Sequence, residues 1–429
     1  MKSERSSFAS PLVLVALASL VALPVYGQGP VGFFWKDPVS GNFVFAGNWE
    51  ANNMAFQTIP NVDLTATIPP RPGDAIKFRE GTYTVNMAGA TSANLTVFEN
   101  GAAQNEVWNV TLVFAGDFDA GQLNGPATES VTLTGSGRVS AAPMLAGGAD
   151  WIVDGLEFQV GDVRFGTGSE LLLRDGAHLV TQGVINLSAI QLLHSSWQHT
   201  GPADALGKDI ASTSVPRIVL NGSTFEAAGL TVKTLHDMIG INGSVLNIGE
   251  YFDEAVQLES GSVMNNVNAE AGSSATGGRT YVDGVGSQWN VSGLFKVRPA
   301  AGVNVRNRGA LNAGNLHFDI PSFGVLNVDG TGASAHIVGA VTGNPTIRAR
   351  GGGLVTVGSA SATGGALFCE GAGSRLESPG TLAGMSRLEA LDSGLVQAHE
   401  VINFNGGQLR AEGTASQLRV TGRLMLVGG

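Results

Sequence analysis

The residues whose types and spacing invite chemistry are two histidines, a pair of aspartates, four recurring carboxylates, a few arginines and one thiol. His194 and His199 stand five apart. On a strand, odd spacing places side chains on opposite faces, a poor arrangement for one tetrahedral metal. His178, His236, His317, His336 and His399 are scattered, with no Cys or carboxylate at a useful spacing. Gly116-Asp-Phe-Asp-Ala-Gly121 has the outline of a calcium loop. It offers two carboxylates where calcium takes about six to eight oxygens. Arg298, Arg306 and Arg308 lie near Asp283 in sequence, but Arg348 and Arg350 form an equally good group elsewhere. Nothing converges into the acid–base set that a polysaccharide-cutting site needs. Cys369 sits in Ala366-Leu-Phe-Cys-Glu-Gly371, which reads as a strand, and there it serves as a small buried hydrophobe. The expectation is therefore no catalytic, cofactor-binding or metal-binding residue, and no cofactor.

Asp283, Asp329, Glu370 and Glu412 are more regular. They open Asp283-Gly-Val-Gly-Ser-Gln-Trp289, Asp329-Gly-Thr-Gly-Ala-Ser-Ala335, Glu370-Gly-Ala-Gly-Ser-Arg-Leu376 and Glu412-Gly-Thr-Ala-Ser-Gln-Leu418, at intervals of 46, 41 and 42. A ladder of carboxylates binding cations or sugars is one reading. Turn chemistry is the other, because an acidic residue before Gly closes a turn with its own side chain, and it is the reading adopted. A second signature falls between the copies: Gly309-Ala-Leu311, Gly353-Leu354 and Gly394-Leu395. The structural period is thus half of the long one, roughly 20 residues, which suits one coil of a β-solenoid.

The elements that position these residues follow from composition. Gly is 61 of 429 residues and charged residues are 14%, while hydrophobic residues reach 43%. Gly at about twice its usual share of roughly 7% opposes long helices, and the apolar content opposes disorder. Short strands joined by tight turns satisfy both. Coils of such strands stack, with Val, Leu and Ile inward and Gly at corners where positive φ or close approach is needed. The net charge of −11 and the single cysteine exclude a nucleic-acid footprint and an internal disulfide framework.

Residues 1–27 read as a secretory signal: Lys2 and Arg5, an apolar run from Pro11 to Leu23, and small residues before a cleavage after Gly27. No second apolar run is long enough to span a membrane. Residues 28–75, with Trp35, Trp49 and clustered prolines, read as an irregular N-terminal cap. Residues 76–429 read as parallel β-helix repeats, clearest over 282–429 and truncated at the C-terminus, because Val427-Gly-Gly429 falls inside the repeat rhythm.

The run from Val282 to Val297 resembles the repeat shared by autotransporter (type V secretion) passengers and PEP-CTERM-type exported proteins of bacteria. The later copies drift from it, with Ala335, Leu376 and Leu418 standing where Trp289 stands in the first. The opening Trp35, Asn48-Trp49 and Pro72-Gly-Asp-Ala-Ile-Lys-Phe78 is similar to the start of such passengers. The resemblance implies a right-handed parallel β-helix, export and a surface role, and no catalytic residues. The expected protein is all-β, secreted or on the cell surface, and structural or adhesin-like. Its expected partners are surface polymers, extracellular polysaccharide or neighbouring surface proteins. The alternatives are a carbohydrate-active β-helix enzyme, lyase or hydrolase, and a glycan-binding module, which would show exposed aromatics in a row.

Overall fold

The computed structural model describes residues between 32 and 426, outside 53–69, 97–108, 201–204, 207–216, 273–278, 320–323 and shorter stretches. The signal expected at residues 1–27 lies outside the described residues. The chain is an all-β parallel β-solenoid over residues 109–425, preceded by an N-terminal region.

Strands of two long sheets alternate along the chain. The first sheet carries Asn109–Phe114, Ser130–Gly135, Asp150–Asp154 and so on to Gln408–Glu412, each parallel to the last. Its parallel pairing already begins at Thr82–Asn86. The step between paired residues is 20 from Ser130 to Asp150, 21 from Arg387 to Gln408, and 18 from Asp237 to Ala255. It widens to 28 from Ala189 to Arg217. The coil length expected from half the long repeat is therefore the real one. The recurring acidic copies are two rungs apart.

The number of strands per coil changes along the solenoid. Up to about residue 186 a third, small sheet completes each coil, with Leu123–Asn124, Met144–Ala146, Val163–Phe165 and Ile185–Asn186 in parallel register. Later coils have two strands, because the second-sheet strands lengthen to 8–10 residues and take over that side.

The N-terminal stretch corrects the expectation of irregular structure. Gly32–Trp35 pairs in parallel with Ala75–Lys77, and Trp49–Asn52 pairs antiparallel on its other side, closing the edge of the small sheet. Trp35 and Trp49 are buried edge to face at 4.8 Å, and the Trp49 indole N–H donates to the Phe43 carbonyl (2.7 Å). Aromatic pairs of this kind add stability beyond the area they bury.

Alternating burial along each strand, as in the buried Val131 and Leu133 of Ser130–Gly135, turns one face inward. In-register stacking then makes columns of like residues. One runs Trp289, Leu311, Ala335, Val355, Leu376, Val396, Leu418. The positions equated by the repeat, 289, 335, 376 and 418, thus share a column and fall on every second rung. Another column runs Val305, Val328, Ala349, Cys369, Ala390. Cys369 is fully buried among small residues there, as expected. Burial raises its thiol from 9.0 to about 11, because a thiolate would lose its hydration. Two outcomes follow. The native protein is expected to resist a thiol reagent at pH 8 and to react once in denaturant. Stability is expected to fall above the unfolded thiol's ordinary range and up to pH about 11, since the unfolded chain releases that proton first.

The doubled period arises at the corner between the two sheets. Connectors of four and three residues alternate there: 284–287, 307–309, 330–333, 351–353, 371–374, 392–394 and 413–416. The short ones hold two successive positive φ values, at Asn307 and Arg308, Gly351 and Gly352, and Asp392 and Ser393. The long ones follow the acidic residue and begin with a Gly at positive φ, such as Gly284 and Gly371. In three of the four a serine at the last position locks the turn, and 330–333 has Ala333 there. Ser374 Oγ donates to the Glu370 carbonyl (2.7 Å) and accepts the N–H of Gly352 from the preceding rung (3.0 Å). Ser287 and Ser416 repeat both bonds, to Asp283 and Gly261 and to Glu412 and Ser393. The second signature is a close-approach glycine: a Cβ on Gly309, Gly353 or Gly394 would stand 2.3–2.4 Å from a carbonyl oxygen one rung back.

Candidate functional site

The outward face of the second sheet carries a stack of carboxamides. Asn247, Asn265, Asn290 and Asn312 lie in register on four successive rungs. Asn265 Nδ2 donates to Asn247 Oδ1 (2.8 Å), Asn290 Nδ2 to Asn265 Oδ1 (2.9 Å), and Asn312 Nδ2 to Asn290 Oδ1 (2.8 Å). Next to this ladder the sheet bends inward. The register shifts between Val291 and Leu294, between Ala313 and Leu316, and between Ile337 and Ala340. A column of glycines makes the bend possible: a Cβ on Gly249, Gly314 or Gly358 would lie 2.1–2.3 Å from a carbonyl oxygen of the preceding rung.

The bend creates a groove of about 930 Å³ between the amide ladder and this glycine column, with Val267 and Val338 projecting into it. Those valines are 52% and 68% exposed. Among the described residues no Asp, Glu, Lys, Arg or His lines the groove. Beneath it, Asn266 points inward, where its Oδ1 accepts the Trp289 indole N–H (2.7 Å) and its Nδ2 donates to the Ile248 carbonyl (2.6 Å).

A second constellation lies farther along the same sheet. Lys296 Nζ stands 3.7 Å from Glu270 Oε2 and 3.1 Å from Asp319 Oδ2. Arg298 Nε pairs with Glu270, and His317 lies between Asp319 (Nε2 to Oδ1, 3.4 Å) and the Thr342 hydroxyl (2.8 Å from Nδ1). The expectation that acidic and basic residues converge nowhere is corrected here, as is the expectation that His317 has no carboxylate partner. The signal was present in His317-Phe-Asp319, where a spacing of two puts both side chains on one face. The remaining partners come from a rung at 270 and another at 296, which the chain order does not bring together. Lys296 sits between the two carboxylates, and with Arg298 on Glu270 two cations balance two anions, so the arrangement is a closed ion-pair network. Lys296→Met leaves Asp319 without its lysine and the largely buried Glu270 with Arg298 alone. It is expected to cost about 1–3 kcal/mol in denaturant unfolding, with the loss growing as salt is lowered.

The other candidates separate. Asp283, Arg306, Asp329, Arg350 and Glu370 occupy one outer column of the first sheet, so the first three recurring carboxylates alternate with arginines, and Leu391 stands between Glu370 and Glu412. Arg350 Nε pairs with Glu370 (3.0 Å) and Arg306 lies over the Tyr281 ring (4.6 Å). Like carboxylates are two rungs apart, about 10 Å at the usual strand spacing, too far to share a cation directly. His194 is exposed at a corner, and His199 is buried with its Nδ1 on the Thr181 hydroxyl (2.9 Å). Asp117 accepts the Arg138 backbone N–H (3.1 Å) and Asp119 accepts that of Gly121 (2.9 Å). Trp151, Trp197 and Trp289 are buried and form no aromatic platform, and Trp108 lies outside the described residues. Among the described residues no group of three or more His, Cys, Asp and Glu is placed to hold a metal, and no helix is long and apolar enough to cross a membrane.

Compared with protein-family models, with curated proteins and with solved structures, the chain matches none of them.

Proposed function

We propose that this chain is an extracellular or cell-surface structural protein, adhesin-like, that works without catalysis through the repeated lateral faces of its solenoid. The observation that carries this reading is the continuity of in-register stacking. The outward columns turn single side chains into extended stripes of amides and of alternating charge. A partner meets such stripes as many weak contacts in a row, which suits multivalent attachment to a polymer or a neighbouring surface protein. The signal-like residues 1–27 and the likeness of 282–297 to autotransporter and PEP-CTERM-associated repeats support export. The test is to express the full chain with a C-terminal tag in a bacterium and fractionate the culture. Export with cleavage after Gly27, and display or release outside the cell, is the expected result. An unprocessed chain held in the cytoplasm would sink the proposal.

The network of Glu270, Lys296, Arg298, His317 and Asp319 favours a second reading, a carbohydrate-active β-helix enzyme. A site of that kind holds a carboxylate or a base free to take a proton. Here Lys296 occupies the space between the carboxylates, which weighs for the first reading. Depolymerisation of a polysaccharide by the purified chain, abolished in Lys296→Met, would reverse the order.

A further inference from the structure

We infer that the groove beside the Asn247–Asn265–Asn290–Asn312 ladder binds a neutral polysaccharide chain lying along the solenoid axis. The ligand class follows from what the ladder leaves unused. A carboxamide has two N–H donors and an oxygen with two lone pairs. Within the stack, Asn265 and Asn290 each spend one N–H and one lone pair on their neighbours. Each rung therefore presents one donor and one acceptor, fixed in direction by the stack. Sugar hydroxyls both donate and accept, and a polymer offers them at regular intervals. Because the amides are held by one another, little side-chain entropy is lost when they bind, which favours preorganised contact.

Charge narrows the class further. Among the described residues no ionisable side chain lines the groove, in a chain of net charge −11. An anionic polymer finds no cation there, and it meets an unfavourable overall field. Shape selects a linear molecule. The lining runs over six successive rungs, from Ala227 to Val338 and Gly339, roughly 24 Å at the usual strand spacing. Gly249 and Gly314 leave two rungs of the floor without a side chain, and there a chain can approach the backbone closely. Val267 and Val338 supply apolar contact for the C–H faces of the rings, in place of aromatic stacking. A peptide strand is a poorer occupant. It would need an unpaired sheet edge, and here the backbone groups are spent on the rungs above and below.

This inference rests on the adhesive reading only for the setting in which such a polymer is met, and the two fail separately. Loss of export leaves the binding test intact, and loss of binding leaves export intact. The test is affinity electrophoresis of the purified exported chain in gels containing a neutral glucan or galactomannan, with alginate and polygalacturonate as anionic probes. Retardation by at least one neutral polymer and by neither anionic one is expected. Asn265→Ala/Asn290→Ala is expected to weaken binding at least about fivefold, since several hydrogen bonds are lost. Val338→Glu puts a charge into the groove at an exposed position, leaves the packing untouched, and should weaken it as well. Asn304→Ala/Asn327→Ala removes a similar amide pair on the other sheet (3.0 Å) and should bind as the parent does. The inference is overturned if the folded chain ignores all neutral polymers or prefers the anionic ones. It is also overturned if both groove variants bind as the parent does, or if the control pair loses binding equally.

Discussion

Trp289→Ala is expected to cost about 3–5 kcal/mol, the usual range for removing a large aromatic from a packed interior. Trp289 is fully buried, stacks in column with Met264 and Leu311, and lies 4.7 Å from the Phe295 ring. Its removal leaves a cavity and also strips Asn266 Oδ1 of its donor. An unpaired buried acceptor adds about 1–3 kcal/mol of desolvation cost. A solenoid rung is held by its neighbours, so the damage should be local before it is global. Amide hydrogen exchange is the measurement of choice, with protection falling first over 263–318. Trp289→Phe and Trp151→Phe separate packing from hydrogen bonding. The Trp151 indole N–H has no partner among the described residues, so replacing it by Phe strands nothing there, whereas Phe at 289 strands Asn266. If the two Phe variants cost the same, the Asn266 bond contributes nothing to stability.

Gly358→Ala is the second large effect. A Cβ there would stand 2.1 Å from the Val338 carbonyl oxygen and 2.7 Å from that of Gly339. Neither atom can rotate away, since both belong to the backbone of the preceding rung. The substitution must push rungs apart at the bend, and overpacking of this kind costs about 1–3 kcal/mol or more. An exposed glycine with room around it gives the opposite sign, because Ala reduces the freedom of the unfolded chain. A Cβ on Gly116 meets nothing within 4 Å and its φ is not positive, so Gly116→Ala is expected to be neutral or slightly stabilising. Urea midpoints of the two variants test the argument. A Gly358→Ala midpoint at or above the parent's would show that the bend is set by something other than glycine.

Much of the architecture was legible before any coordinates. Period-2 runs between Gly turns marked the strands, and the copies at 283, 329, 370 and 412 marked the coils. The copies also implied that Trp289, Ala335, Leu376 and Leu418 are equivalent, and the column confirms it. The acidic residues do stand at turns, but the hydroxyls of Ser287, Ser374 and Ser416 close those turns on backbone carbonyls, while the carboxylates of Asp283 and Glu370 turn outward to Asn307 and Arg350. In the N-terminal stretch clustered prolines mask Gly32–Trp35, a short apolar run whose parallel partner, Ala75–Lys77, is distant in sequence.

Sequence by itself determined the all-β class, the length of the coil, and which residues turn and which face inward. Those properties are local: they depend on alternation, on glycine, and on a repeat that can be counted. The tertiary structure alone decided which outward residues meet. The four asparagines of the ladder are 18, 25 and 22 residues apart, an uneven spacing with no motif in it. They align because the coil steps at 247, 265, 290 and 312 differ in length by whole loops, while hydrogen-bonded register brings each strand back to the same place. The same stacking interleaved Arg306 and Arg350 between carboxylates that look like a ladder of their own, and joined Glu270 to Lys296 and Asp319. Lateral neighbours in a solenoid are one coil apart, and coil length varies freely in the loops, so the chemistry of its faces is written in register and not in sequence spacing.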